Sequence, residues 1–380
     1  FLVESVKKAI FAGDLDLEKV PEVIIEVPRE KEHGDYATNL AMVLAGQAGM
    51  NPRRIAEIIV ENFESDIVEE INIAGPGFIN FKLKNAWLWN NLKLITKRAE
   101  DYGKIDLGKG QSVQLEFVSV NPTGPLHVGH SRGAVVGDVT ASIMEAAGFD
   151  VEREYYINDA GNQMDILGKS TLLRYRELLG EEIKMPEDVY AGEYIKEIAR
   201  DLYAEHGSDL MEKEEAERLE ICREYAYQEM LKNIEEDLEE FGIEFDNWFS
   251  ERTLHPDKIQ QAIELLRDKG YIFEKEDALW FKSTDFGDDK DRVIIKSDGS
   301  PTYLAADMAY HLDKLERGFD KLINVWGADH HGYIPRMKAV IEAFGYDKDI
   351  LEVIVVQMVT LLRNGKKVPM SKRAGSFVTM

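Results

Sequence analysis

The stretch Asn121-Pro122-Thr123-Gly124-Pro125-Leu126-His127-Val128-Gly129-His130 constrains this chain more than any other. It follows an apolar run, residues 113–120, that reads as a buried strand. It precedes residues 131–147, which read as a helix. A turn rich in Gly and Pro, carrying two histidines three apart, therefore sits where a parallel strand hands over to a helix. In a doubly wound α/β sheet that junction binds phosphates, because free backbone N–H groups and the helix dipole favour anions there. The two imidazoles can add donors to the same phosphate, and Gly129 between them lets a nucleotide approach the backbone closely.

The chain around this turn is long enough, at 380 residues, for two or three domains. No apolar run approaches the ~20 residues of a membrane span, and the first residues do not form a signal peptide. Cytoplasm is the expected compartment, and no membrane contact is expected. A single cysteine, Cys222, excludes an intrachain disulfide framework and a cysteine-cluster metal site. The net charge of −25 argues against non-specific nucleic-acid binding. The acid is concentrated, however. Residues 177–246 hold 24 Asp or Glu against 7 Lys or Arg. That leaves room elsewhere for a shaped, specific contact with a nucleic acid.

Residues 1–106 read as a small α+β domain. Residues 2–11, 39–48 and a third segment opened by Asn51-Pro52 have helical periodicity. Residues 23–27 and 78–83 have strand character, with a turn at Gly75-Pro76-Gly77. Residues 85–102 read as a linking helix. From residue 107 the chain alternates strands and helices: strands at 113–120, 151–157, 321–326 and 353–356, helices at 129–147, 158–179, 256–269 and 302–317. An acidic helical insertion covers about 181–250, and antiparallel strands lie at 271–282 and 292–296. The whole reads as an open α/β sheet in two halves, with ligands expected at the strand C-termini.

Four constellations could carry chemistry. His127, Gly129 and His130 could stabilise charge on a phosphorus under attack. They find no obvious third ligand nearby, so no metal site is expected. Pro369-Met370-Ser371-Lys372-Arg373, after the last strand, offers basic groups to a triphosphate. Trp326-Gly327-Ala328-Asp329 ends a strand, where Gly327 permits close approach and Asp329 could accept from a ribose hydroxyl, or simply cap a helix. Finally, lone polar residues interrupt apolar settings: Glu116 and Ser119 in the first strand, Tyr303 and Asp307 on one helix face, and Gln357 at the end of the last strand. Two carboxylates on one pocket would attract a cation, and a guanidinium can be held bidentately.

The His-x-Gly-His turn paired with Met370-Ser371-Lys372 resembles the HIGH and KMSKS signatures of class I aminoacyl-tRNA synthetases. Residues 116–130, residues 298–310 and the segment Glu32-His33-Gly34-Asp35-Tyr36-Ala37-Thr38-Asn39 resemble the arginyl-tRNA synthetases in particular. The resemblance implies a Rossmann-type parallel-sheet catalytic domain over 107–380, preceded by an N-terminal domain that contacts tRNA. It implies ATP-dependent activation of L-arginine and its transfer to the 3′ end of tRNA(Arg). Mg²⁺ would accompany the ATP, and the enzyme would be a monomer. By resemblance, His127, His130 and Lys372 are catalytic. Gly129, Gly327, Asp329, Met370 and Ser371 bind ATP. Glu116, Ser119, Asn121, Tyr303, Asp307 and Gln357 bind arginine.

Two departures stand out. Pro369 occupies the first KMSKS position, leaving Lys372, with Lys366 or Lys367 as helpers. The chain also ends at Met380, so a helical anticodon-binding domain is expected to be missing, and adenylation by these residues alone is expected to be weak. Other readings have less in the sequence to support them. Small nucleotidyltransferases of the phosphopantetheine or nicotinamide type share the His-x-Gly-His turn but not the text at 298–310. A cysteinyl or glutamyl synthetase shares the class, but the cysteine enzyme would offer metal ligands where Cys222 stands alone. A binding module without catalysis is opposed by the intact His127, His130 and Lys372.

Overall fold

A computed structural model describes residues 1–368 and 378–380 of the chain, which divides into two units, Phe1–Gly103 and Lys104–Met380. In the first unit, Asn51 and Pro52 start a helix by the expected chemistry. The Asn51 side chain accepts the Arg53 backbone N–H at 2.9 Å, and Pro52 sits where no donor is needed. Helices α1 (Leu2–Ala12), α2 (Leu40–Ala48) and α3 (Pro52–Glu61) pack Val6, Leu44, Ile55 and Ile59 against a three-stranded antiparallel sheet. Its strands are β1 (Tyr36–Thr38), β2 (Val68–Ala74) and β3 (Phe78–Leu83), in the order β1-β3-β2. Helix α4 (Asn85–Arg98) follows.

Two expectations for this unit need correction. Residues 23–27 form no strand; a single bridge joins Glu26 to Ala37. Pro21 and Pro28 bracket the run and cannot donate to a ladder. Strands β1 and β2 were not expected: β1 is only three residues long, and Glu69, Glu70 and a bulge beside Val68 break the alternation of β2.

The second unit is built on a five-stranded parallel sheet in the order β11-β10-β4-β5-β6. Its strands are β4 (Ser112–Glu116), β5 (Asp150–Ile157), β6 (Asn247–Ser250), β10 (Lys321–Gly327) and β11 (Leu351–Val356). Between them run α5 (Val128–Ala146), α6 (Asn162–Leu178), α7 (Glu193–His206), α8 (Glu215–Glu240) and α9 (Asp257–Asp268). A small antiparallel sheet of β7 (Ile272–Lys275), β8 (Ala278–Phe281) and β9 (Arg292–Ile295) comes next, then α10 (Tyr303–Glu316) and α11 (Ile334–Phe344). The chain leaves β4 toward β5 and later returns on its other side as β10. That reversal of winding opens a crevice at the C-terminal ends of β4 and β10.

Alternation along the strands sorts two unlike faces. Val113 and Leu115 of β4, Tyr155 and Ile157 of β5, and Ile323 and Val325 of β10 join α5 and α8 in one apolar cluster. The opposite face presents Gln114, Glu116, Glu154 and Asn324, all buried, to α10. Residues 247–250, expected inside the helical insertion, are instead the fifth strand; the helices end at Glu240. At four residues, two of them polar, β6 carried too little periodicity to read.

Strand β4 also ends sooner than residue 120. Val118 and Ser119 adopt φ of 66° and 43°, a left-handed conformation that is costly for a β-branched residue. The surroundings hold it in place. The Tyr155 hydroxyl accepts the Val120 N–H at 3.0 Å and donates to the Val120 carbonyl at 2.7 Å. Ser119 Oγ accepts the Tyr156 N–H at 3.1 Å and donates to Glu116 at 3.0 Å. The chain thus swings out of the sheet where a ligand would need space. Behind it, Phe117 packs so closely on α5 that a Cβ at Gly137 would lie 2.2 Å from the ring.

Candidate active site

His127 is the N-cap of α5, and its ring does the capping. Its Nδ1 accepts the Gly129 N–H at 3.2 Å, while His130 Nδ1 accepts the His127 N–H at 3.1 Å. The two rings stack with centroids 3.6 Å apart. An imidazole nitrogen that accepts from the backbone carries no proton, so each neutral ring keeps its proton on Nε2. Both histidines are therefore set as donors at a helix N-terminus. Residues 378–380 lie along this turn: Val128 donates to Val378 O at 3.0 Å and Met380 to Leu126 O at 3.1 Å.

Two cavities open from the crevice. The first, about 410 Å³, is lined by His127, Gly129, His130, Gly327, Asp329 and Gln357. The second, about 550 Å³, is lined by Glu116, Ser119, Asn121, Tyr303 and Asp307, with Glu251 and Tyr333. Val118, Val325, Trp326, Gly327 and His330 line both, so the cavities share a wall. At Gly327 a Cβ would sit 2.5 Å from Oδ1 of the exposed Asp329 side chain, which would have to swing aside. Asp329 itself is exposed and does not cap: Gly327 is the N-cap of the 3₁₀ turn Ala328–Tyr333.

The structure thus brings Glu116, Ser119, Asn121, Tyr303 and Asp307 together, and places Gln357 across the shared wall with the histidines. Met370, Ser371 and Lys372 lie outside the described residues.

The second cavity is strongly acidic. Burial pushes the Asp307 carboxyl up to about 7; a hydrogen bond from Tyr333 opposes this, and the charges of Glu116 and Glu251 add to it. Burial also raises Glu251, against hydrogen bonds from His255 and Tyr156. In both, burial outweighs the partners that favour the ionised form. Glu116 differs, because Lys314 Nζ donates to its Oε2 at 2.7 Å and to Asn324 Oδ1 at 3.0 Å. His311 is held neutral, its imidazole pushed down to about 3 by burial and by the Lys314 charge. Beneath them Glu154 is fully buried. Burial works to raise its carboxyl, but Arg317, Lys314 and Tyr310 together bring it below its ordinary value.

Sequence reasoning missed Lys314, His311, Asn324, Glu251 and Tyr333. A signal did exist for the first two. Tyr303, Asp307, Tyr310, His311 and Lys314 form a polar stripe at helical spacing through an otherwise Ala- and Leu-rich segment. Asn324 was a lone amide in an apolar strand.

The chain is similar in sequence and in fold to known proteins. A family model for tRNA synthetases class I (R), catalytic domain, matches residues 92–380. One for the arginyl tRNA synthetase N terminal domain matches residues 2–83. The arginine–tRNA ligase of Bacillus licheniformis is 54% identical over 383 aligned residues, covering 100% of this chain and 69% of the ligase. The Bacillus subtilis ligase is 53% identical over the same shares. A solved Campylobacter jejuni chain assigned as an arginyl-tRNA synthetase superposes with a TM-score of 0.72 at 42% identity, over 78% of this chain and 65% of that one. The Thermus thermophilus arginyl-tRNA synthetase, at 20% identity and a TM-score of 0.61, shares the fold over 93% of this chain and 64% of its own.

Proposed function

The chain belongs to the arginyl-tRNA synthetases, class I ligases that activate arginine with ATP and pass it to tRNA, and on that premise we propose how its two cavities divide the reaction. The acidic cavity takes the arginine side chain. Glu116 and Asp307 hold the guanidinium, Tyr303 covers it, and Ser119 and Asn121 border the amino-acid backbone. Gln357, on the far side of the shared wall, meets the reacting end of arginine rather than its guanidinium. The other cavity takes ATP, with Gly129 and Gly327 giving close approach and Asp329 accepting from the ribose. Mg²⁺ enters with the triphosphate as part of the substrate. Met370, Ser371 and Lys372 complete the phosphate side.

An arginine carboxylate oxygen attacks the α-phosphorus, the bond to the bridging oxygen of the β-phosphate breaks, and pyrophosphate leaves. The Nε2 donors of His127 and His130 stabilise the added charge on the α-phosphate more in the transition state than before it. A terminal ribose hydroxyl of tRNA then attacks the carbonyl of the adenylate, loses its proton, and AMP departs. Residues 1–106 serve as the tRNA-contacting domain, and the enzyme acts as a cytoplasmic monomer.

The observation that supports this reading most is the adjoining of the two cavities. Buried carboxylates lie on one side of a wall and paired imidazole donors at a helix N-terminus on the other. Calorimetric titration with arginine, lysine and ATP tests it. Arginine and ATP should bind, and lysine should bind at least about tenfold more weakly, since an ammonium cannot bridge two carboxylates as a guanidinium does. Equal binding of arginine and lysine, or no binding of arginine, would refute the assignment of the acidic cavity.

A further inference from the structure

The second cavity rests on a charge that does not face it. Lys314 is fully buried, lines neither cavity, and pairs with Glu116, which does line one. A buried ammonium needs partners for its three hydrogens. Glu116 Oε2 and Asn324 Oδ1 take two, and the Tyr310 ring lies 4.3 Å from Nζ.

Its hydrogen-bond partners are themselves fixed. Asn324 Nδ2 lies 3.2 Å from His311 Nε2, and His311 Nδ1 lies 2.8 Å from the Asp307 carbonyl. A carbonyl can only accept, so His311 donates from Nδ1 and accepts at Nε2. Asn324 must therefore donate to the ring with its amide nitrogen and turn its oxygen to Lys314. The chain runs on through Lys314 to Glu116 Oε2, and from Glu116 Oε1 to Ser119 Oγ at 3.0 Å. Every donor and acceptor along it has one permitted sense.

Each Glu116 oxygen accepts one internal hydrogen bond and keeps a second lone pair. Resting on the arginine reading given above, we propose that Lys314 is a positioning residue for arginine recognition. It holds the Glu116 side chain turned so that these remaining lone pairs meet the guanidinium. Lys314 never touches the substrate and acts only through Glu116. A guanidinium captured bidentately is sensitive to carboxylate orientation. A flexible carboxylate in this place would lose the fixed geometry on which selection of arginine depends.

The test is a double-substitution cycle on the whole protein, read as dissociation constants for arginine and, separately, ATP by calorimetry. Lys314→Met should weaken arginine binding by between about tenfold and a hundredfold, as loss of a partner that orients a ligating group does, and leave ATP binding unchanged. In a Glu116→Gln background the further change Lys314→Met should alter arginine affinity by less than about twofold, because the residue it acts through is already neutral. In Glu116→Gln an amide oxygen can still accept from the Lys314 ammonium, and the double variant removes both buried charges, so if Lys314→Met alone fails to fold, a further loss of more than about twofold between these two variants would still overturn the proposal. Additive losses, or Lys314→Met binding arginine as the wild type does, would overturn the proposal. Failure of the wild type to bind arginine is a distinct result that refutes the arginine reading beneath it.

Discussion

Asp307 makes the acidic cavity sensitive to pH in the physiological range, and the size of the effect can be worked out. Its carboxyl is pushed up to about 7 by burial, with the neighbouring charges of Glu116 and Glu251 adding to the shift. A guanidinium binds the ionised form. In the empty site at pH 6, a group titrating near 7 is ionised in roughly one molecule in eleven, and at pH 8 in about ten of eleven. Apparent arginine affinity should therefore rise about tenfold from pH 6 to pH 8 and level off above it. The direction follows from the sign of the shift: a carboxyl raised when empty must lose its proton to bind a cation, so binding tightens as pH rises. Calorimetry in buffers of different ionisation enthalpy should also register about half a proton released per arginine bound at pH 7. Asp307→Asn should bind more weakly and flatten the profile. An arginine dissociation constant that stays constant between pH 6 and 8, or that falls as pH is lowered, would refute the reasoning.

Two further outcomes follow from the geometry. His130→Ala removes a donor at the phosphate side and the cap on the His127 N–H, so arginine-dependent pyrophosphate exchange in the presence of tRNA should fall by about 10²–10³ while arginine binding holds; unchanged exchange would contradict the role given to this turn. Gly137→Ala places a Cβ 2.2 Å from the Phe117 ring in a packed interior and should destabilise the protein by about 1–3 kcal/mol, seen as a lowered melting temperature in thermal unfolding.

Much of the architecture was legible because it rests on periodicity. The amphipathic helices, the turn at Gly75–Gly77 and the parallel strands around His127 all declare themselves by spacing. The exit of the chain at Val118-Ser119 did not, because Val-Ser-Val is as good a strand sequence as Phe-Val-Ser; only the packing of Tyr155 and Tyr156 selects the left-handed turn. Glu116 and Asp307 of the cavity were visible as polar residues in apolar settings, and Glu251 was not. Lys314 showed only as one member of the polar stripe along its helix, because a lysine there is ordinarily a solvated side chain and the stripe does not reveal that it lies against Glu116. Gln357 was legible as a strand-end residue, but its placement across the wall depends on which strands flank β4.

The polar layer beneath α10 also bears on how the protein assembles. Lys314 and Glu116 are 198 residues apart in sequence, Tyr310 and Glu154 are 156 apart, and Arg317 and Glu154 are 163 apart. On a ribosome, β4 and β5 emerge long before the helix that satisfies their buried carboxylates. Until then Gln114, Glu116 and Glu154 keep one face of the nascent sheet hydrated and discourage premature collapse or pairing on that side. The pocket floor can close only after α10 arrives, so arginine binding during synthesis would appear as a late event that reports the docking of this helix.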